Sequence, residues 1–221
     1  MSIAAACKGN QELSNTHSHI AGPAPTHANQ HMNQSNFEAL VARFESASRN
    51  EWQQPDAVLG MMGSLKGKTV YDLGAGTGLF SVLFLQEGAK VISSDSDSRF
   101  TAFMSGRRTG LSISPTDWEI RLVPESDPKL ESNEVDVAFV CNVYHHIDNR
   151  EQYFNLLREG LREDGTLYII DFKGGDLPVG PPDEVKLPAE QVARELEQAG
   201  FSGIEIDQTS LPYQYAVKAQ K

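Results

Sequence analysis

Apolar residues fall along this chain in short continuous runs that alternate with stretches where they recur every three or four positions, which predicts strands alternating with helices. Phe37, Leu40, Val41 and Phe44 share one face of a first helix, and Pro55 suits the first turn of a second that runs to Met62. Strands are expected from Val70, over 90–94, over 118–123, over 135–141 and over 166–172, the fourth a near-continuous apolar run of the kind buried in a parallel sheet. Between them, 79–85 is apolar nearly all round and stops at Gly88. Phe100, Phe103 and Met104 mark a helix ending near Gly110, and residues 150–162 turn Phe154, Leu157 and Leu161 inward. A last helix runs from Pro188 to Gly200 with Val192 and Leu196 inward. Two strands near 204–207 and 214–219 close the chain, and the loop joining them is too short for a parallel crossover, so an antiparallel pair is expected.

This order predicts an α/β domain with a doubly wound, mostly parallel sheet. At 221 residues the chain has room for one such domain and no comfortable second. Residues 1–35 stand apart. Their Asn, Gln, Ser, His and Pro lack apolar periodicity and predict a disordered tail, leaving 36–221 as the domain, split into a helical segment over 36–66 and a core over 67–221. Four of the six histidines lie in that tail (His17, His19, His27, His31), without cysteine partners or fixed spacing, so no metal site is expected.

Charge narrows the partners. Thirty acidic against nineteen basic side chains give a formal −11, which opposes nucleic-acid binding and favours a small-molecule substrate. No apolar stretch approaches the ~18 to 20 residues of a membrane span. Two cysteines make no disulfide framework, so a cytoplasmic location is expected. Residues 3–7, ending in Cys7, also resemble the end of a lipoprotein signal, and a lipid anchor on Cys7 is the alternative if the native start is longer. Oligomeric state is not written in the pattern.

The candidate chemistry begins at Asp72-Leu-Gly-Ala-Gly-Thr-Gly78, a strand end running through a tight turn into a helix. Gly74, Gly76 and Gly78 permit positive φ and close approach of a ligand to the backbone, beside the free N–H groups of a helix start. The spacing is Gly-x-Gly-x-Gly rather than the Gly-x-Gly-x-x-Gly of dinucleotide folds, and Asp72 would repel a pyrophosphate. A ligand carrying ammonium and sulfonium charges turns that carboxylate into an asset. Asp95, at the carboxyl end of the next strand, is placed to accept ribose hydroxyls, with Ser96 beside it. The other reading of Asp95 is a helix N-cap, which Ser96 or Asp97 would supply instead.

With these residues the chain resembles the class I S-adenosylmethionine-dependent methyltransferases, from about 37 to 219. The resemblance implies a seven-stranded sheet with an antiparallel last strand, N-terminal lid helices, and S-adenosylmethionine as cofactor. It implies cofactor contacts from Asp72, Gly74, Ala75, Gly76, Thr77, Gly78, Asp95 and Ser96. It further implies an acid against the adenine amino group, Glu125 or the preferred Asp127. Asn142-Val-Tyr-His-His-Ile147 resembles the family's fourth motif beside the transferable methyl, making Asn142 a cofactor contact and Tyr144 and His145 the catalytic candidates, with His146 packing structurally. The Arg49, Trp52, Gln53, Pro55 pattern resembles a bacterial subgroup and places Trp52 and Gln53 in a lid near the substrate. Two further readings stand beside methyl transfer: an NAD(P)-dependent oxidoreductase, and a non-catalytic S-adenosylmethionine-binding protein.

Deleting residues 1–35 is expected to change neither melting temperature nor cofactor affinity, because the segment has no apolar face to bury. Differential scanning calorimetry of the full and shortened chains checks this, and a clear drop in melting temperature refutes it.

Overall fold

The computed structural model describes residues 36–221. The expectations made for 1–35, including the four histidines and Cys7, lie outside the described residues. Chain order within them is α1 (Phe37–Phe44), α2 (Arg49–Trp52), α3 (Pro55–Met62), β1 (Thr69–Leu73), α4 (Leu79–Gln86), β2 (Lys90–Asp95), α5 (Ser98–Gly110), β3 (Trp118–Leu122) and β4 (Val135–Cys141). A 3-10 turn (Tyr144–His146), α6 (Arg150–Gly160), β5 (Leu161–Phe172), a second 3-10 turn (Asp183–Val185), α7 (Ala189–Gln198), β6 (Ser202–Asp207) and β7 (Gln214–Gln220) complete it.

The strands form one sheet of seven in the order β3-β2-β1-β4-β5-β7-β6. All pairs from β3 to β5 are parallel, and β7 runs antiparallel to both β5 and β6. The chain moves outward in one direction from β1 through β2 to β3, then restarts on the other side with β4. The carboxyl ends of β1 and β4 therefore splay into a crevice at the point where strand order reverses, the expected ligand position in an open α/β sheet.

Alternation along the strands gives two cores. On β4, Val135, Ala138 and Val140 pack with α6 and α7 residues such as Phe154, Leu157, Val192 and Leu196. Val137 and Phe139 pack on the opposite face with Phe80, Phe84, Met104 and Trp118. A strand apolar on both faces needs this double cover.

Local signals set the ends. Asn36 caps α1 by accepting the Glu38 N–H at 2.9 Å, and Pro55 opens α3. The expected helix over 150–162 ends two residues early, at Gly160. A Cβ at Gly160 would stand 2.5 Å from that of Leu130, and Leu161 turns extended to pair with Val135 while Arg162 leaves to ion-pair with Asp136.

Helices α1 and α2 lie over the crevice, and α3 packs into the core through Val58 and Met62. Phe37 and Phe44 of α1 meet Phe100 of α5 at centroid distances of 5.0 and 5.5 Å, Glu45 pairs with Arg107 at 2.8 Å, and Trp52 of α2 stacks on Phe172 at 5.6 Å. No helix among the described residues is long and apolar enough to cross a membrane.

The three loop glycines all have positive φ, as expected, but their crowding comes from the protein itself. A Cβ on Gly74 would meet Val143 at 2.5 Å, and one on Gly78 would meet the Trp118 ring at 2.9 Å. Gly78→Ala, with φ at +75° as well, should therefore cost about 2 kcal/mol or more. Gly60→Ala, mid-helix with open space around it, should gain up to ~1 kcal/mol. Urea unfolding of the two variants measures both, and equal stabilities would contradict the packing account.

Candidate functional site

The crevice is a cleft of roughly 1250 Å³. One wall is the β1 turn (Asp72, Gly74, Ala75, Gly76) with Asp95 and Ser96. The other is the end of β4 (Asn142, His145, His146), and Arg49 and Trp52 cover it from above.

The acidic side rests on a buried hydrogen-bond chain whose direction is fixed by chemistry. Trp118 Nε1, a donor only, gives its proton to Ser93 Oγ at 2.7 Å, and Ser93 meets Ser81 Oγ at 2.7 Å. The Asp72 carboxylate only accepts, so Ser81 donates to its Oδ2, at 2.5 Å, and takes the proton of Ser93 in turn. Burial pushes the Asp72 carboxyl up to about 7; the Ser81 hydrogen bond opposes this and the neighbouring Asp95 charge adds to it. Asp95 is raised to about 6, again by burial, against the N–H groups of Asp97 and Gly76 that it accepts at 2.9 Å each. Asp97 takes the N-cap of α5 through the Arg99 N–H, so the cap is supplied without Asp95.

The opposite side carries two adjacent histidines. His145 Nδ1 lies 2.9 Å from each oxygen of Asp171, which is itself held by the Phe172 N–H at 2.8 Å. A carboxylate there places a proton on Nδ1, so that in the neutral imidazole Nε2 is the acceptor. His146 stacks against His145 at 4.3 Å, and burial, then His145 and Arg43, lower it to about 4.

The candidates separate into two sets. Asp72, Gly74, Ala75, Gly76, Asp95, Ser96, Asn142, His145 and Trp52 meet around the cleft. Thr77 is buried, its carbonyl accepting from Arg107, and Gly78 packs on Trp118 behind the turn. Tyr144 faces the other way: fully buried, it donates to Glu195 at 2.7 Å and stacks on Phe154. Asp127 closes its own turn with Lys129 at 2.6 Å, whereas Glu125 lines the cleft. Gln53 is wholly buried above it, bonded to Arg49, Gln214 and Cys141. Asp171 was not among the sequence candidates; an acid inside the apolar run 167–172 was the available signal. Among the described residues no group of three or more His, Cys, Asp or Glu is placed to hold a metal ion.

Comparison with known proteins adds a likeness. Residues 71–169 match the sequence model of the methyltransferase-domain family. A S-adenosylmethionine-dependent methyltransferase from Aquifex aeolicus superposes with a TM-score of 0.76 at 24% identity, covering 84% of this chain and 98% of that one. A phosphoethanolamine N-methyltransferase of Haemonchus contortus, solved with S-adenosylmethionine, gives 0.65 at 16% identity over 77% of this chain and 52% of its own. The cyclase SpnF gives 0.64 at 16% over 80% and 84%, so the fold by itself does not fix the reaction. No curated protein matches the chain.

The Asp72 environment makes a prediction about stability. Its folded value lies above the ordinary one, so its contribution is complete below pH ~4 and is lost as pH rises through about 7. Relative to Asp72→Asn, the ligand-free parent should lose up to ~1.4 kcal/mol per pH unit across that window. Denaturation at several pH values tests it, and parallel curves for the two proteins refute it.

Proposed function

We propose that this chain, which carries a methyltransferase domain within the class I methyltransferase fold, moves a methyl group from S-adenosylmethionine to a small-molecule acceptor, with His145 as general base. The observation that carries this reading is the His145–Asp171 pair on the cleft wall facing the glycine turn.

The residues present fit the cofactor. Gly74 and Gly76 line the cleft with no side chain to intrude, Asp95 has lone pairs left for ribose hydroxyls, and the buried Asp72 suits a neighbouring cation. Glu125 stands nearest to the role given to an acid against the adenine amino group. When bound, the cofactor supplies an electrophilic methyl on a sulfonium whose departing thioether needs no proton. The protein's tasks are then to align the acceptor and to receive the acceptor's proton. His145 is suited to the second because Asp171 holds its ring and stabilises the imidazolium that forms. Tyr144, committed to Glu195 in the core, is assigned a packing role in this reading.

His145→Ala is expected to lower methyl transfer by ~10² to 10⁴ while leaving S-adenosylhomocysteine affinity within a few-fold. Asp171→Asn should fall between that variant and the parent, and His146→Ala should act mainly on stability. Labelled-methyl transfer and calorimetry provide both readouts, with NAD⁺ titrated in parallel. Tight NAD⁺ binding without S-adenosylhomocysteine binding would favour an oxidoreductase. Undiminished transfer by His145→Ala would leave positioning alone to account for catalysis. Asp95→Ala should weaken S-adenosylhomocysteine about tenfold to a hundredfold, the loss of one charged hydrogen-bond acceptor for the ribose. Unchanged affinity with the fold intact removes Asp95 from the site.

A further inference from the structure

A second buried hydrogen-bond chain runs from the lid to the cleft, and its direction is also forced. Arg49 Nε and Nη2 donate to Gln53 Oε1 at 3.1 and 2.6 Å. A guanidinium only donates, so Gln53 must present its oxygen to Arg49 and its amide nitrogen onward. That nitrogen donates to Gln214 Oε1 at 3.0 Å. Gln214, wholly buried on β7, therefore turns its own nitrogen to Asn142 Oδ1. Reversing either amide would set two N–H groups against each other inside the protein, at a cost that burial makes large. Asn142 is held from its backbone as well, at φ +59° with its N–H on the Ile170 carbonyl.

With Oδ1 turned to Gln214, Asn142 offers its Nδ2 donor to the cleft it lines, and no side chain or backbone group of the described residues takes that donor. Beside it stands His145, whose Nδ1 is committed to Asp171 and whose Nε2 accepts. We infer that this pair, one donor and one acceptor, selects a hydroxyl or enol oxygen as the methyl acceptor, with Arg49, Gln53 and Gln214 as positioning residues; the inference rests on the methyl-transfer reading above.

Oxygen satisfies both groups at once. It gives its proton to His145 Nε2 and accepts from Asn142 Nδ2 with one lone pair, keeping another for attack. The oxygen forms the new C–O bond as the C–S pair stays on the departing thioether, so the sulfonium charge disappears as an imidazolium charge appears. An amine has one lone pair. Asn142 would either occupy it or, in the ammonium form, face a group that only donates.

Three measurements test the inference on the full chain. Neutron diffraction of deuterium-exchanged crystals with S-adenosylhomocysteine should show the Asn142 deuterons directed into the cleft; its oxygen there overturns the proposal. Labelled S-adenosylmethionine in a metabolite extract should yield O-methyl products. N-methyl or S-methyl products overturn this inference alone, and no labelled product despite S-adenosylhomocysteine binding overturns the underlying methyl-transfer reading. Gln214→Glu keeps the shape and still accepts from Gln53, but as a carboxylate it draws Asn142 Nδ2 toward itself. Label incorporation should drop at least tenfold with S-adenosylhomocysteine affinity within threefold. Parent-like incorporation by the folded variant overturns the positioning role, and if that variant fails to fold, the neutron result decides.

Discussion

The Ser81 hydroxyl on the Asp72 carboxylate is the contact on which the rest of the site depends. It ties the first turn of α4 to the end of β1, and through Ser93 and Trp118 it draws β2 and β3 into the same arrangement. Four elements converge on one buried acid. The glycine turn lies between the two ends of that connection. Its geometry is therefore set from behind by hydrogen bonds and by the Trp118 ring before any ligand arrives in front.

Much of this was readable in the amino-acid order, for a physical reason. Strand runs such as 135–141 and the glycine turn depend on local pattern, and local pattern is what a sequence displays. Asp95 could be placed because a strand end and a doubly wound topology fix where its side chain goes. Tyr144 and His145 were harder to separate. They are neighbours on one 3-10 turn, and which of them faces the cleft depends on Glu195 and Asp171, contributed by distant elements. Asp127 and Glu125 differ for a similar reason: the pairing of Asp127 with Lys129 closes a turn that two residues' spacing leaves ambiguous. Helix α6 was drawn too long because its end is set by Leu130, which no periodicity within the helix reports.

Gln214 was the least accessible to sequence. It reads as a polar residue opening an edge-like strand, yet the antiparallel insertion of β7 beside β5 buries it and brings it against Asn142 and Gln53. Both hydrogen-bond chains follow one rule. Each begins at a side chain with no acceptor capacity, Trp118 in one and Arg49 in the other; the two amides then follow from Arg49, and the two hydroxyls are directed by the Asp72 carboxylate at their far end. One chain delivers an acceptor to the cleft and the other a donor.

The two chains differ in what anchors them. Trp118 belongs to the sheet, but Arg49 opens α2 and Gln53 caps its end, in a segment that lies over the cleft. The orientation of Asn142 therefore rests on residues that precede the sheet in the chain, through Gln53 and Gln214. The acidic wall is held by side chains of β2, β3 and α4. One half of the cleft is thus fixed by the sheet layer itself, and the other takes its polarity from a segment laid over it.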